Sequence, residues 1–254
     1  MEFLSQTLLQ TTTQLFVSTN TITSDSIMNP DVRRQYVSSG DNSDLTTTTI
    51  RVTFDSTQTV DRIAIMETNA KQFNLFYNGV TANAFTLTSP TTTSQFTNNS
   101  ATNLYLACTP VDVTSVTFDI KTTMTANSEK AVGYFYVGAN ELTFAKIPNS
   151  GGYTPIIDPK ELIHNLSDGG TRRQTVQAKW SVKVKLKYIT ETFKDSLLEI
   201  YNEFTPKVFV PFGTGTAWDG ILFEANWMGN FDFYKYADDA TNAGFTGSID
   251  LKET

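Results

Sequence analysis

From Val176 to Tyr188 the chain alternates without a break. Val176, Ala178, Trp180, Val182, Val184, Leu186 and Tyr188 are apolar, while Gln177, Lys179, Ser181, Lys183, Lys185 and Lys187 between them are polar. A period of two belongs to a strand with one face on a core and the other in water. These thirteen residues, at roughly 3.3 Å each, reach about 43 Å, well beyond an ordinary strand. The far end therefore needs cover from a hairpin partner or a neighbouring subunit. The wet face carries Lys179, Lys183, Lys185 and Lys187, a row that either defends an edge against aggregation or meets acidic groups.

Shorter patterns precede it. Leu15, Phe16 and Val17 mark a first strand, followed by turn chemistry at Asn29-Pro30-Asp31 and Ser39-Gly40-Asp41. Ile50, Val52 and Phe54 alternate with polar residues, Val60 to Met66 is nearly all apolar, and Phe73, Leu75 and Tyr77 alternate up to Asn78-Gly79, a tight-turn pair. Further strands are predicted over 84–87, 104–108, 116–120, 132–137 and 142–147, with Ser89-Pro90, Thr109-Pro110 and Gly138-Ala139-Asn140 as turns between them. Short strands with no helical period predict a jelly-roll β-sandwich over residues 1–150. Pro148-Asn149-Ser150-Gly151-Gly152 reads as the boundary, and 153–173 as an ordered connector.

Beyond the long strand the period changes to that of a helix. Phe193, Leu197, Ile200, Tyr201 and Phe204 form one apolar stripe, Thr192 with Asp195 fits a capping box, and Pro206 follows, so a helix is predicted over 192–204. Strands are predicted at 207–212, 222–227, 231–236 and 245–251. Asp250 and Glu253 are placed to face the lysine row. Residues 151–254 thus read as an α+β unit, a sheet with one packed helix.

Composition narrows the function. The chain has 254 residues, a hydrophobic share of 39%, an aromatic share of 12% and a net charge of -7. It is large enough to build its cores without disulfides, and a sequence pI near 4.7 argues against nucleic acid as a partner. The single cysteine, Cys108, forms no internal disulfide and reads as a small core residue. No run approaches a membrane span, and the first residues lack the pattern of a signal peptide. Synthesis in a cytoplasm is the expectation.

Two resemblances follow from these residues. Tyr36 to Asp41, Thr48 to Phe54, Val60-Asp61-Arg62-Ile63-Ala64-Ile65 and Phe73 to Gly79 resemble the discoidin (coagulation factor 5/8 type C) branch of galactose-binding-like jelly rolls. Residues 178–254, with Pro211-Phe212-Gly213, Trp218-Asp219-Gly220 and the ending Gly244 to Leu251, look like domains of bacteriophage tail and baseplate proteins of the tail-tube or distal-tail type. That second resemblance implies a tail-tube-like β-sandwich or barrel that assembles as a ring about a tail axis. The galactose-binding-like domain comes first here, the reverse of the common distal-tail order.

Little in the chain points to catalysis. His164 is the only histidine, which excludes any site with two histidine ligands, and no well-spaced pair of carboxylates stands out. Asp41, Asn42 and Asp44 have a spacing that suits either calcium or an Asx-type turn. Asp238-Asp239 lacks a third ligand, and Gly213-Thr214-Gly215 is a turn rather than a phosphate loop. Tyr36, Tyr153 and Trp218 are the aromatic candidates for stacking on a sugar. The second resemblance implies a structural protein of a phage tail tip or baseplate, located in the virion. It would need no cofactor or metal, its partners being copies of itself and other tail proteins, with Lys179, Lys183, Lys185 and Lys187 at the subunit interface. The alternative expectation is a carbohydrate-binding module that recognises a host surface glycan. A glycan-cleaving enzyme ranks behind both.

Overall fold

The computed structural model describes residues 1–5, 13–18, 27, 35–38, 43–89, 94–144, 153–165, 171–211, 222–237 and 244–253. Within 153–178 the backbone is described, and of the side chains only Ile156 is. The fold is mainly β and antiparallel, with one helix among the described residues. The chain divides into two compact units, Met1–Thr143 with Val210–Leu222, and Phe144–Phe209 with Phe223–Thr254.

The first unit contains β1 (Glu2–Leu4), β2 (Thr13–Val17), β3 (Tyr36–Val37), β4 (Thr48–Met66), β5 (Ala70–Tyr77), β6 (Leu87–Ser89), β7 (Gln95–Phe96), β8 (Leu104–Thr123), β9 (Ala131–Val132), β10 (Tyr134–Gly138) and β11 (Asn140–Thr143). Its main sheet runs β10-β4-β8-β5-β7, with β2 added on β4 and β6 on β8. Smaller antiparallel pairs are formed by β3 with β9 and by β1 with β11. Ile50, Val52, Phe118, Ile120 and Leu75 point to one side and are fully buried, as the period of two requires. Phe118 meets Phe73 edge-on at 5.3 Å and lies 5.7 Å from Phe135, within the favoured range for aromatic pairs.

The two central strands are longer than the sequence predicts. Residues 50–54 and 60–66 were separated by a polar stretch, yet they form one strand, β4, whose pairing with β8 slips between Thr53 and Gln58. Likewise 104–108 and 116–120 join as β8, with Pro110 inside it rather than at a turn. The ladder with β4 is irregular there, Val60 pairing with Val111 and Arg62 with Ala107. An irregularity of this kind is where a strand tolerates proline. Asn78 and Gly79 do make the predicted tight turn, both at positive φ (54° and 67°) with Val80 N–H donating to Tyr77 O at 3.3 Å.

The second unit contains β12 (Tyr153–Asn165), β13 (Thr171–Ile189), α1 (Glu191–Asn202), β14 (Lys207–Val210), β15 (Phe223–Met228), β16 (Phe233–Ala237) and β17 (Gly244–Glu253). Its strands follow the order β14-β15-β17-β13-β12, and β16 pairs with β17. The predicted connector over 153–173 is largely strand, because β12 pairs with β13 along its whole length. The partner that the long strand needed is thus its own hairpin. Only Ser181–Ile189 of β13 is also laddered to β17, so among the described residues the part from Thr171 to Lys179 is paired with β12 alone.

Helix α1 begins one residue earlier than predicted and ends at Asn202, so Phe204, expected on its packed stripe, lies past the helix at φ 53° and is exposed. Thr190, not Thr192, is the N-cap, its Oγ1 accepting from Phe193 N–H at 3.2 Å. Leu197 and Ile200 are its buried residues, and Tyr201 packs on Trp227 at 5.4 Å. Lys194 Nζ sits 4.5 Å from the centre of the Phe245 ring. Trp227 is paired with Leu251, which is paired with Val182, so the helix covers the apolar face of this sheet.

Candidate functional site

On the other face of that sheet, Lys183 lies opposite Asp250 and Lys185 opposite Ser248. Lys183, Lys185 and Lys187 are exposed and Lys179 is half-buried. Lys183 Nζ reaches Asp250 Oδ2 at 3.3 Å, as the sequence predicts for this acid. Glu253 does not join the row, since its Oε2 accepts from Trp180 N–H at 2.7 Å. At Tyr188 the backbone turns to φ 57° and the register with β17 slips between Leu186 and Ile189, which ends the alternation.

The aromatic candidates fare differently. Tyr36 is 0% exposed in β3, so its ring belongs to the core and offers no platform for a sugar. The side chain of Tyr153, which opens β12, and the whole of Trp218 lie outside the described residues, as do Asp41, Asn42, Asp238, Asp239, the Gly213-Thr214-Gly215 turn and the side chain of His164. Asp44 is described. Its Oδ1 accepts from Thr123 N–H at 3.1 Å and Thr123 Oγ1 at 3.2 Å, and its Oδ2 from Asn127 N–H at 3.1 Å. These bonds, with Lys130 nearby, hold the carboxyl below its ordinary range despite the opposing effect of desolvation. Lys130, fully buried, donates from Nζ to Ser43 O at 3.0 Å. The loop is fastened from within the protein, and no group of three or more His, Cys, Asp or Glu suited to a metal occurs among the described residues.

A different set of side chains comes together on the first unit. β2 places Leu15 and Val17 toward the core and turns Phe16 outward, where it is 55% exposed. Phe16 is paired with Arg51, which is half-buried and in turn paired with the fully buried Thr117, so the face opposite to that of Ile50 and Phe118 is open at Phe16 and closed over at Thr117. Arg51 Nε donates to Thr117 Oγ1 at 3.4 Å. In the adjoining row Thr49 lies opposite Asp119 and Asp119 opposite Asn74, and Thr49 Oγ1 donates to Asp119 Oδ1 at 2.7 Å. The amide of Asn74, oriented to suit both neighbours, donates to Phe73 O at 3.0 Å and accepts from Lys121 Nζ at 3.2 Å. One exposed ring beside a mixed set of donors and acceptors can stack on an apolar face of a ligand and bond its hydroxyls. Sequence reasoning passed over Phe16, although the parity of Leu-Phe-Val was the signal: two inward neighbours force the middle residue out.

A buried polar cluster is the third feature, and no local sequence pattern announces it. Arg62 donates from Nε to Glu2 Oε2 at 2.9 Å and from Nη2 to Glu2 Oε1 at 3.1 Å, and Tyr105 Oη donates to Glu2 Oε2. Arg62 Nη1 is 3.4 Å from Asp61 Oδ2, and Asp61 Oδ1 accepts from Asn140 N–H at 2.7 Å. Burial alone would raise the Glu2 carboxyl, but the Arg62 and Tyr105 hydrogen bonds outweigh it and hold it below its usual value. Burial, then the Glu2 charge, pushes the Tyr105 phenol up. Cys108 is buried in β8, its thiol pushed up to about 12 by burial and then by Asp61, which leaves it without thiolate character at neutral pH. This network ties β1 to β4 and β8.

Both units are antiparallel β structures, and the first is a β-sandwich. No family model matches the chain, and no curated protein does. Among solved structures it is similar to carbohydrate-binding modules. Chitosan-binding module 1 of a chitosanase/glucanase from Paenibacillus sp. IK-5 is 15% identical, with 53% of this chain and 100% of that one covered at a TM-score of 0.40. Module 2 of the same enzyme, in complex with chitotriose, is 13% identical over 50% and 95% of the two chains, with a TM-score of 0.39. A CBM32-5 module from Clostridium perfringens, in complex with GalNAc-β-1,3-galactose, is 7% identical over 52% and 99%, also at 0.39. Likenesses at this level assign the chain to no family.

Proposed function

We propose that this chain is a non-catalytic binding protein whose first unit holds a saccharide on the outer face of its main sheet. The observation that supports this is the exposed Phe16 ring beside Arg51, with the Thr49–Asp119 and Asn74–Lys121 pairs in the next row. Sugars present an apolar face of C–H groups and a rim of hydroxyls, and a ring flanked by polar side chains answers both. The sequence resemblance of residues 36–79 to discoidin-type jelly rolls accords with this reading. Chitotriose and GalNAc-β-1,3-galactose, the ligands in the similar structures, are sensible first probes for the full chain. Phe16→Ala is expected to weaken binding of the responding sugar about tenfold, or ~1.4 kcal/mol, with the fold unchanged.

The second reading is a virion structural protein of a phage tail tip or baseplate. It is favoured by the ribbon of β12 and β13, in which, among the described residues, Thr171 to Lys179 is paired with β12 alone. A two-stranded ribbon is marginal in water, and a neighbouring protein would complete it. The two readings are compatible in one molecule, one unit binding sugar while the other is held in an assembly. Electron microscopy of the particles that contain the protein tests the second.

A further inference from the structure

The second unit carries opposite charges on opposite surfaces. On one side of its sheet lie Lys183 and Lys185, with Lys187 following. On the other side α1 packs through Leu197 and Ile200, and its outward face shows Glu191, Asp195 and Glu199, all exposed. Those acids recur every four residues, a rise of about 6 Å per step on a helix. The lysines recur every two residues, about 6.7 Å per step on a strand. The two rows therefore have nearly the same spacing, with opposite sign.

Each row is only partly neutralised among the described residues. Lys183 is paired with Asp250 and Asp195 with Lys194, but among the described residues Lys185, Lys187, Glu191 and Glu199 make no ion pair. Like charges this close repel one another unless a partner of opposite sign covers them. The gathering of cations on one surface of a chain with a net charge of -7 also directs that surface toward acidic ones.

We infer that the lysine row of one copy docks on the acidic face of α1 in a second copy. Because the two patches lie on opposite surfaces of one unit, the contact is heterologous: each copy offers its lysines to one neighbour and its helix to another. Such contacts repeat until the rotation closes a ring, or else extend as a filament. The inference is independent of saccharide binding by the first unit, since it uses none of the same residues. It gives the lysine row an occupant that the chain itself supplies.

The test is sedimentation velocity of the full chain with two charge-reversed variants, K183E/K185E/K187E and D195K/E199K, each checked by far-UV circular dichroism. The wild type is expected to associate at low salt and to dissociate near 0.5 M sodium chloride, where the screening length is only a few ångströms. Each variant alone is expected to be monomeric, having two faces of one sign. An equimolar mixture of the two is expected to associate again. A wild type that stays monomeric at every concentration, variants that associate as it does, or a mixture that fails to recover would each overturn the inference. So would a monomeric wild type whose lysine row retains heparin, because the row would then serve an anionic polymer.

Discussion

Lys183 and Asp250 face each other across the ladder of β13 and β17, Nζ to Oδ2 at 3.3 Å, with about half of each side chain in water. An ion pair this exposed adds little to stability, at most about 1 kcal/mol. Lys183→Ala is therefore expected to shift the thermal midpoint by only a few degrees. A loss of several kcal/mol in a urea titration would mean that the row is structural, and would remove the reason to assign it to a partner.

The Glu2–Arg62–Tyr105 cluster should behave in the opposite way. Here the side chains of Arg62 and Glu2 are only 14% and 16% exposed. Removing one partner of a charged, largely buried hydrogen bond costs about 2 kcal/mol, which is the expected effect of Arg62→Met on unfolding by urea at pH 7.

Acid exposes the same cluster. Glu2 has its carboxyl below the ordinary value in the folded chain, held there against burial by Arg62 and Tyr105. Its contribution is therefore present above the ordinary carboxylate value, 4.5, and is lost as pH falls through the folded one. Stability measured from pH 6 down to pH 3 should fall less steeply in Glu2→Gln than in the wild type. Parallel curves would show that Glu2 titrates alike in the folded and unfolded chain.

Substitution at the start of α1 distinguishes two threonines. Thr190→Ala removes the side-chain oxygen that accepts from Phe193 N–H and is expected to cost about 1 kcal/mol. Thr192→Ala should be nearly neutral, since the bond Ser196 makes to that residue goes to its backbone oxygen. Paired denaturation curves check both.

Cys108 gives a simple probe of the first unit. A buried thiol pushed up to about 12 is expected to resist a disulfide reagent such as DTNB at pH 8 in the native protein and to react at once in guanidinium. Rapid native labelling would place the thiol in a looser environment than the packing of β8 against β4 and β6 implies.

What could be read from the sequence was what local periodicity controls. The alternation over 182–187, the Asn78-Gly79 turn and the part of the α1 stripe through Leu197, Ile200 and Tyr201 follow from residues a few positions apart. What could not be read depends on distant partners. The polar stretch from Asp55 to Thr59 hid the continuity of β4, because slipped pairing with β8 carries the strand through it. Pro155 and Pro159 disguised β12 as a connector, yet it stands last in the strand order, where proline is tolerated. At the site, Phe16 was legible from parity alone, whereas Tyr36 looked like a loop residue until its two-residue strand was paired with β9 and buried. The Glu2–Arg62 bond joins residues sixty positions apart, and no local pattern announces it.

The central claim is that the outer face of the first unit binds a saccharide. Its most direct measurement is the retention of the full chain on a panel of immobilised glycans that includes chitotriose and GalNAc-β-1,3-galactose, with Phe16→Ala run beside the wild type. Saturable retention of the wild type on at least one glycan, weakened about tenfold in the variant, is the predicted result. Failure of the wild type to bind any glycan, or equal binding by the two proteins, would contradict it.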